Sequence, residues 1–170
     1  MKIVSNACLP TGISGADNGA HYSGIAWPND QWCRANLTVN GVAGAGAGIA
    51  LKLRVAAGAQ TYYRIAVDHA TSNNGQISRF NSGVITSLLN FTQSWNDGDV
   101  WEFRVIGSTL YVFYKGLQIQ SLVDSSPLVS GSPGLGLSTT VVSASMTNWV
   151  AGYFVDSSPG PFTLSPQQRF

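Results

Sequence analysis

Charge is scarce in this sequence. Asp, Glu, Lys and Arg make up 10% of its 170 residues, and the net charge is +1. Such a balance lacks the basic footprint expected of a nucleic-acid partner or an anionic membrane surface. Glutamate is scarcer still, with Glu102 as its single representative. No apolar run is long enough to span a bilayer. The N-terminal MKIVSNACLP has a lysine but no apolar stretch after it, so a secretory signal is not expected. Two cysteines, Cys8 and Cys33, are too few for a disulfide framework. They allow either one bridge between two N-terminal segments or two buried thiols. Neither Cys nor His recurs at metal-finger spacing, which argues against structural zinc. Periodic runs of Ala, Glu, Lys and Leu are missing as well, so long helices are not expected.

What the chain does have is turn chemistry between short alternating runs. The clearest stretch is Asp97–Trp149. Trp101, Phe103 and Val105 fall on one side of an extended chain, and Glu102, Arg104 and Ile106 on the other. Gly107-Ser108 offers a two-residue turn. Leu110, Val112 and Tyr114 resume the alternation, with Tyr111 and Phe113 on the opposite face. Lys115-Gly116 makes a second turn, and Leu117–Leu122 alternates again. This predicts a three-stranded antiparallel meander. Large apolar residues on both of its faces require a second sheet to cover one of them.

Along the rest of the chain, Met1–Val4 reads as a short edge strand and Cys8–Gly19 as a loop. Ala20–Ala26 reads as a strand, WPNDQW (Trp27–Trp32) as a turn, and Gln31–Val39 as a strand. Gly41–Gly48 is a small-residue connection with no phosphate-binding lysine after it. Ile49–Val55 and Thr61–His69 alternate with their charges outward, and Gln76–Phe80 and Val84–Asn90 alternate more weakly. Leu135–Thr139 and Ser143–Val150 read as the last strands. The pattern predicts one all-β domain, residues 1–155, built as a two-sheet antiparallel β-sandwich or jelly roll. Residues 156–170 hold three prolines and no alternation, and read as an extended C-terminal arm.

WPNDQW, TYYRIAVD, GDVWEFRVIGSTLYVFYKG, LVDSSPLVSGSPGLGL and TNWVAG stand in that order. Together they resemble the concanavalin A-like lectin/glucanase superfamily, in its laminin-G-like bacterial and phage branch. The resemblance covers roughly residues 20–153. It departs from the usual pattern at Lys115, where Asn often precedes the turn glycine. It implies the jelly roll and leaves activity open, since the fold hosts lectins, enzymes and structural modules.

An enzyme is not expected. Glycosidases flank the scissile bond with two carboxylates, but this chain offers only Glu102 and has no E-x-D-x-x-E strand. Alginate-lyase-like relatives would have His where Gln76-Ile77-Ser78 has Ser, and their Arg-Glu-Leu-Arg signature is missing. His21 and His69 are remote from any nucleophile context. Asp97 and Asp99 read as turn residues capping backbone N–H groups. No cofactor is expected, and a calcium ion on these two and nearby carbonyls would lack the ligand density of a calcium loop.

The five tryptophans are the binding assets. Trp32, Trp101 and Trp149 lie in alternating strands and read as core. Trp27 and Trp95 stand in polar turns beside Asn29, Asp30, Asn96 and Asp97. These six residues are the carbohydrate-binding candidates, with Asp30-Gln31 also expected to make structural hydrogen bonds. The expected function is a non-catalytic, lectin-like surface module, a phage virion structural protein of the capsid-decoration or fibre/adhesion kind with glycan-binding capacity, placed on the virion surface or outside the cell. The alternative is a secreted carbohydrate-binding module of a polysaccharide-degrading system. Its partners would be a glycan or cell-surface polysaccharide, capsid or other subunits through the arm, or a second copy of the chain.

Overall fold

The computed structural model describes residues 2–4, 7–9, 14–38, 48–56, 58–67, 74–139, 144–155 and 168–169. Every regular element among them is a β-strand. Sheet I runs β1 (Lys2–Val4), β2 (Ala7–Leu9), β13 (Ser145–Tyr153), β4 (Gln31–Thr38), β9 (Asp99–Ile106), β10 (Thr109–Tyr114), β11 (Leu117–Val123). A short β14 (Gln168–Arg169) also pairs with β13. Sheet II runs β3 (Ser14–His21), β12 (Ser132–Thr139), β5 (Gly48–Ala56), β6 (Thr61–Val67), β7 (Asn74–Asn81), β8 (Val84–Thr92). All pairings are antiparallel, as the alternation predicts.

The core lies where the two sheets face each other, with β4 and β9 stacked on β5. Cys33, Ala35, Leu37, Trp101, Phe103, Val105, Leu110 and Val112 come from sheet I. Leu51, Leu53, Tyr63, Ile65, Val67 and Ile77 come from sheet II. Ile119 and Leu135 pack against this cluster from its margin. Each fully buried aliphatic or aromatic side chain contributes roughly 1.5–3 kcal/mol of transfer free energy. The meander turns form where the sequence puts them. Gly107 has φ 57°, and Lys115 and Gly116 have φ 50° and 81°, the left-handed values that two-residue hairpin loops demand.

Several expectations need correction. Cys8–Gly19, read as loop, contains the end of β2 and most of β3. The β3 sequence SGADNGAH is poor strand material, but pairing of Gly19, Ala20 and His21 with Gly136, Leu135 and Gly134 of β12 overrides that propensity. Ala20–Ala26 is strand only to His21. The following loop folds back, with Tyr22 N–H donating to the Pro133 carbonyl at 3.1 Å. Trp32 is 3% exposed but lies on the outer face of sheet I. A Cβ on Gly152 would come within 2.6 Å of its ring. Gln168–Arg169 pairs with β13 of the same chain, so the end of the expected arm is seated on its own sandwich. The small-residue connection at 41–47, His69, and residues 156–167 and 170 lie outside the described residues.

The bridge from Cys8 to Cys33 is not formed, and Cys33 is a free, buried thiol. Cys8 pairs with Met146, and Met146 with Leu37, which lies well along β4 from Cys33. That geometry puts the two Cα atoms on the order of 15 Å apart, far beyond the ~7 Å limit of a disulfide. Burial pushes the Cys33 thiol pKa well up, helped by the Glu102 charge. We expect the denatured, unreduced protein to titrate two thiols, and Cys33 in the native protein to react only as fast as the fold opens. A single bridged pair with no titratable thiol would contradict this register.

A bulge in β5 shapes one end of the sandwich. The register on β6 shifts between Leu53 and Ala56, and Arg54 takes φ 52°. The bulge re-aims Arg54 out of its strand. Its guanidinium donates to the carbonyls of Asn29 at 2.9 Å, Gly107 at 2.8 Å, and Leu128. Gly131 packs on this bulge at φ 122°, where a Cβ would lie 2.3 Å from the Arg54 carbonyl carbon. Gln31, fully buried, donates to the carbonyls of Pro28 and Gly131 at 2.7 and 2.6 Å.

Candidate functional site

The two loop tryptophans stand at opposite ends of β4. Trp27 precedes Gln31, where the strand begins. Trp95 leads into Gly98, whose N–H donates to the Leu37 carbonyl at 2.7 Å near the strand's end. Gln31 and Leu37 are about 20 Å apart along an extended chain. Trp27, Asn29 and Asp30 therefore do not share a site with Trp95, Asn96 and Asp97.

Trp95 is 3% exposed and packs edge-on against Trp101, ring centroids 5.8 Å apart. It offers no face to a sugar, so the binding role expected of it is corrected to a core role. Asn96 and Asp97 are exposed beside it. Asp99 accepts from the Asn96 N–H at 2.8 Å and the Tyr114 hydroxyl at 2.5 Å, and pairs with Lys115 at 2.8 Å. Burial alone would raise its pKa, but Lys115, Tyr114 and the Asn96 N–H hold it below the usual carboxylate value. Among the described residues, no three His, Cys, Asp or Glu gather as a metal site.

At the other end, Asp30 is structural. Its Oδ1 accepts from the Gly107 N–H at 2.8 Å and lies 3.6 Å from Arg54 Nη2. Asn29 is exposed. Trp27 is half-buried, edge-on to both Tyr22 and Tyr153 with centroids 5.9 Å away. Its Nε1 donates to the Tyr22 carbonyl at 3.0 Å. It is a lid stitched over the sandwich end.

A different surface gathers polar and aromatic side chains: the outer face of sheet II. Register puts Tyr62 beside Phe80, Arg64 beside Lys52 and Ser78, and Gln76 beside Asn90. Their alternate neighbours Leu51, Leu53, Tyr63, Ile65 and Ile77 fill the core. Tyr62 and Phe80 stack at 4.5 Å with 21° between ring planes. Lys52 Nζ lies 4.1 Å from the Tyr62 centroid, and the Arg64 guanidinium carbon 4.8 Å from that of Phe80. Each such cation–π contact contributes about 0.5–2 kcal/mol. Ser78 Oγ donates to Gln76 Oε1 at 2.7 Å, and Gln76 Nε2 to Asn90 Oδ1 at 2.9 Å.

Access to this face is graded. Lys52 and Tyr62 are 4% and 6% exposed. Arg64, Gln76 and Phe80 are half-buried, and Asn90 is open. Gly19 lies close beneath Lys52, where an added Cβ would come within 2.6 Å of Nζ and the lysine end would have to shift. The β6–β8 half therefore presents a guanidinium, an aromatic edge and a chain of amides on a rigid sheet, groups suited to hydroxyl-rich ligands. The Ser78 hydroxyl is bonded to an amide, so no base activates it as a nucleophile. Alternation placed Arg64 outward in the sequence, but recognising the face needed the register across β5–β8.

On the outer face of sheet I, the Arg104 guanidinium carbon lies 3.8 Å from the Phe113 centroid, and its Nε pairs with Glu102. Asp99, near the start of the same strand, bonds Tyr114 on the opposite face of the sheet. Among the described residues, Glu102 shares its face with no second carboxylate.

No family model matches the chain, and no curated protein matches it in sequence. Solved structures do match. The carbohydrate-binding module CBM66 from Bacillus subtilis is similar with a TM-score of 0.63 at 20% identity, covering 79% of each chain. Sheep galectin-11 is similar with a TM-score of 0.56 at 10% identity, covering 79% of this chain and 96% of its own. A Bacillus licheniformis β-glucanase gives 0.54 at 12% identity over 75% of this chain and 67% of its own. The chain thus has the concanavalin A-like jelly-roll fold, as the sequence motifs imply.

Proposed function

We propose that the chain is a non-catalytic carbohydrate-binding module whose β6–β8 outer face takes a glycan. The observation that carries this reading is the array of Arg64 over Phe80 beside the Gln76–Asn90 amide chain, held on a rigid sheet. Likeness to a carbohydrate-binding module and to a galectin supports it. Binding without hydrolysis is supported by the engagement of Glu102 with Arg104, because glycosidases need two carboxylates flanking the bond. We propose the virion surface as the chain's setting, with a secreted module of a polysaccharide-degrading system as the alternative. Finding the chain in purified particles decides for the first, and in particle-free culture fluid for the second.

A glycan array followed by titration tests the binding. Asn90→Ala on the open edge of the face should weaken the best glycan roughly 5–10-fold, the loss of about one hydrogen bond, with an unchanged melting temperature. An array without hits overturns the glycan reading. Undiminished affinity in both Asn90→Ala and Phe80→Ala overturns the choice of face.

A further inference from the structure

A small cavity opens on the outer face of sheet I, where β13 bulges. The register of β13 on β4 shifts between Thr147 and Val150. Asn148, between them, takes φ 52°, a left-handed conformation that asparagine adopts more readily than most residues other than glycine. The interrupted ladder leaves a pocket of about 340 Å³ lined by Arg34, Asn36, Val100, Asn148, Trp149 and Val150. That volume is at the lower end for ligand pockets, which run from roughly 300 to 1,000 Å³, and it suits one sugar ring.

Arg34 distinguishes this pocket. Arg54, Arg79 and Arg104 are ion-paired with Asp30, Asp124 and Glu102. Among the described residues, no hydrogen bond or ion pair engages the Arg34 guanidinium, whose contact is with the Trp32 ring at 5.8 Å. Glu102 is its cross-strand partner in the register, yet gives its carboxylate to Arg104. Asn148 Nδ2 donates to Asn36 Oδ1 at 3.3 Å, and Asn36 Nδ2 to the Gly98 carbonyl at 2.8 Å. This chain orients both amides and leaves Asn148 Oδ1 as an acceptor. Val100, Val150 and Trp149 supply an apolar wall.

We propose that this pocket binds one uronic acid residue, independently of the face on sheet II. A guanidinium with uncommitted donors takes a carboxylate through two parallel hydrogen bonds, a geometry that an ammonium does not reproduce. Asn148 Oδ1 accepts from a ring hydroxyl, and the C–H face of the sugar lies on the apolar wall. The carboxylate supplies the negative charge that Glu102, turned to Arg104, does not.

Isotope-labelled protein titrated with D-glucuronate, D-glucose and inorganic phosphate tests this by NMR. Glucuronate should shift the Asn148 amides and the Trp149 indole resonance saturably, and glucose should bind at least about tenfold more weakly. Arg34→Gln should abolish the response. Arg34→Lys should weaken it about tenfold, because the charge stays and the fork is lost. Asn148→Gly relieves the backbone conformation while removing the acceptor, so it should melt no lower than the parent yet bind glucuronate less tightly. Asn90→Ala should leave glucuronate binding unchanged. The proposal is overturned by glucuronate shifts that miss these residues, by an Arg34→Gln variant that binds like the parent, or by phosphate binding as tightly as glucuronate.

Discussion

Replacing Asp124 with alanine should cost the fold about 3–5 kcal/mol, the range for breaking a buried charge pair by removing one partner. The Asp124 side chain is 2% exposed. It accepts from the Tyr63 hydroxyl at 2.7 Å, from Arg79 Nη1 at 2.5 Å, and from the Ser126 N–H at 3.0 Å. Tyr63 in turn accepts from the Leu128 N–H at 2.9 Å. One carboxylate therefore ties β6, β7 and the loop after β11 together. Alanine leaves the fully buried Tyr63 hydroxyl without its acceptor, and a mostly buried guanidinium without its counter-charge, held only by the Ser126 carbonyl at 2.7 Å. For a domain of this size the loss corresponds to roughly 10 °C in melting temperature. Asp124→Asn keeps an acceptor for Tyr63 but no charge for Arg79, so it should fall between. An alanine variant within about 1 kcal/mol of the parent in urea unfolding would remove this cluster as a determinant of stability.

The same cluster bounds the stable pH range. Burial alone would raise the Asp124 pKa, but the Ser126 N–H, Tyr63 and Arg79 outweigh it and hold the carboxyl below its usual value. Its contribution is complete above the unfolded value of about 3.9, and is lost as pH falls through the lower folded value. Tyr63 is pushed up to about 12, by burial first and then by its hydrogen bond to Asp124. Its contribution is complete below the unfolded value of about 10, and is lost as pH rises towards the folded one. Melting curves across pH should show both slopes in the parent. The acid slope should flatten in Asp124→Ala.

The sequence made the meander legible because its contacts are local: two short turns with positive φ join three alternating strands. TYYRIAV was legible for the same reason. β3 was not, since SGADNGAH becomes a strand only through its pairing with β12, remote in the chain. The Tyr63–Asp124–Arg79 cluster was hidden likewise, as it joins three distant segments. The sheet II face needed one further step. Alternation puts Tyr62, Arg64, Gln76, Ser78 and Phe80 on the outer side of their own strands, but only register brings them side by side. Trp32 shows alternation carrying information that composition obscures. It adjoins Cys33, an inward residue, and so belongs to the outer face although it is 3% exposed. With Trp95 the polar neighbours Asn96 and Asp97 misdirected the reading. They report that the backbone reaches solvent, not where the indole points.

Trp95→Ala should destabilise the domain by about 3–5 kcal/mol, as expected for emptying a core tryptophan site, and leave the glycan affinity of the folded fraction unchanged. The indole stands perpendicular to Trp101, at 88° with centroids 5.8 Å apart. Trp101 is fully buried and also touches Tyr114 at 5.0 Å. Removing Trp95 strips one side of Trp101 and opens a cavity under the turn that leads into β9. The surrounding sheet is too rigid to close it. Trp95→Phe should recover part of the loss. A double-mutant cycle with Trp101→Phe should give a coupling of roughly 0.5–1.5 kcal/mol for the edge-on pair. Urea unfolding followed by fluorescence measures stability, and titration well below the unfolding midpoint measures affinity. Near-parental stability with lost glycan affinity would return the Trp95–Asp97 loop to the binding site and take it from the sheet II face.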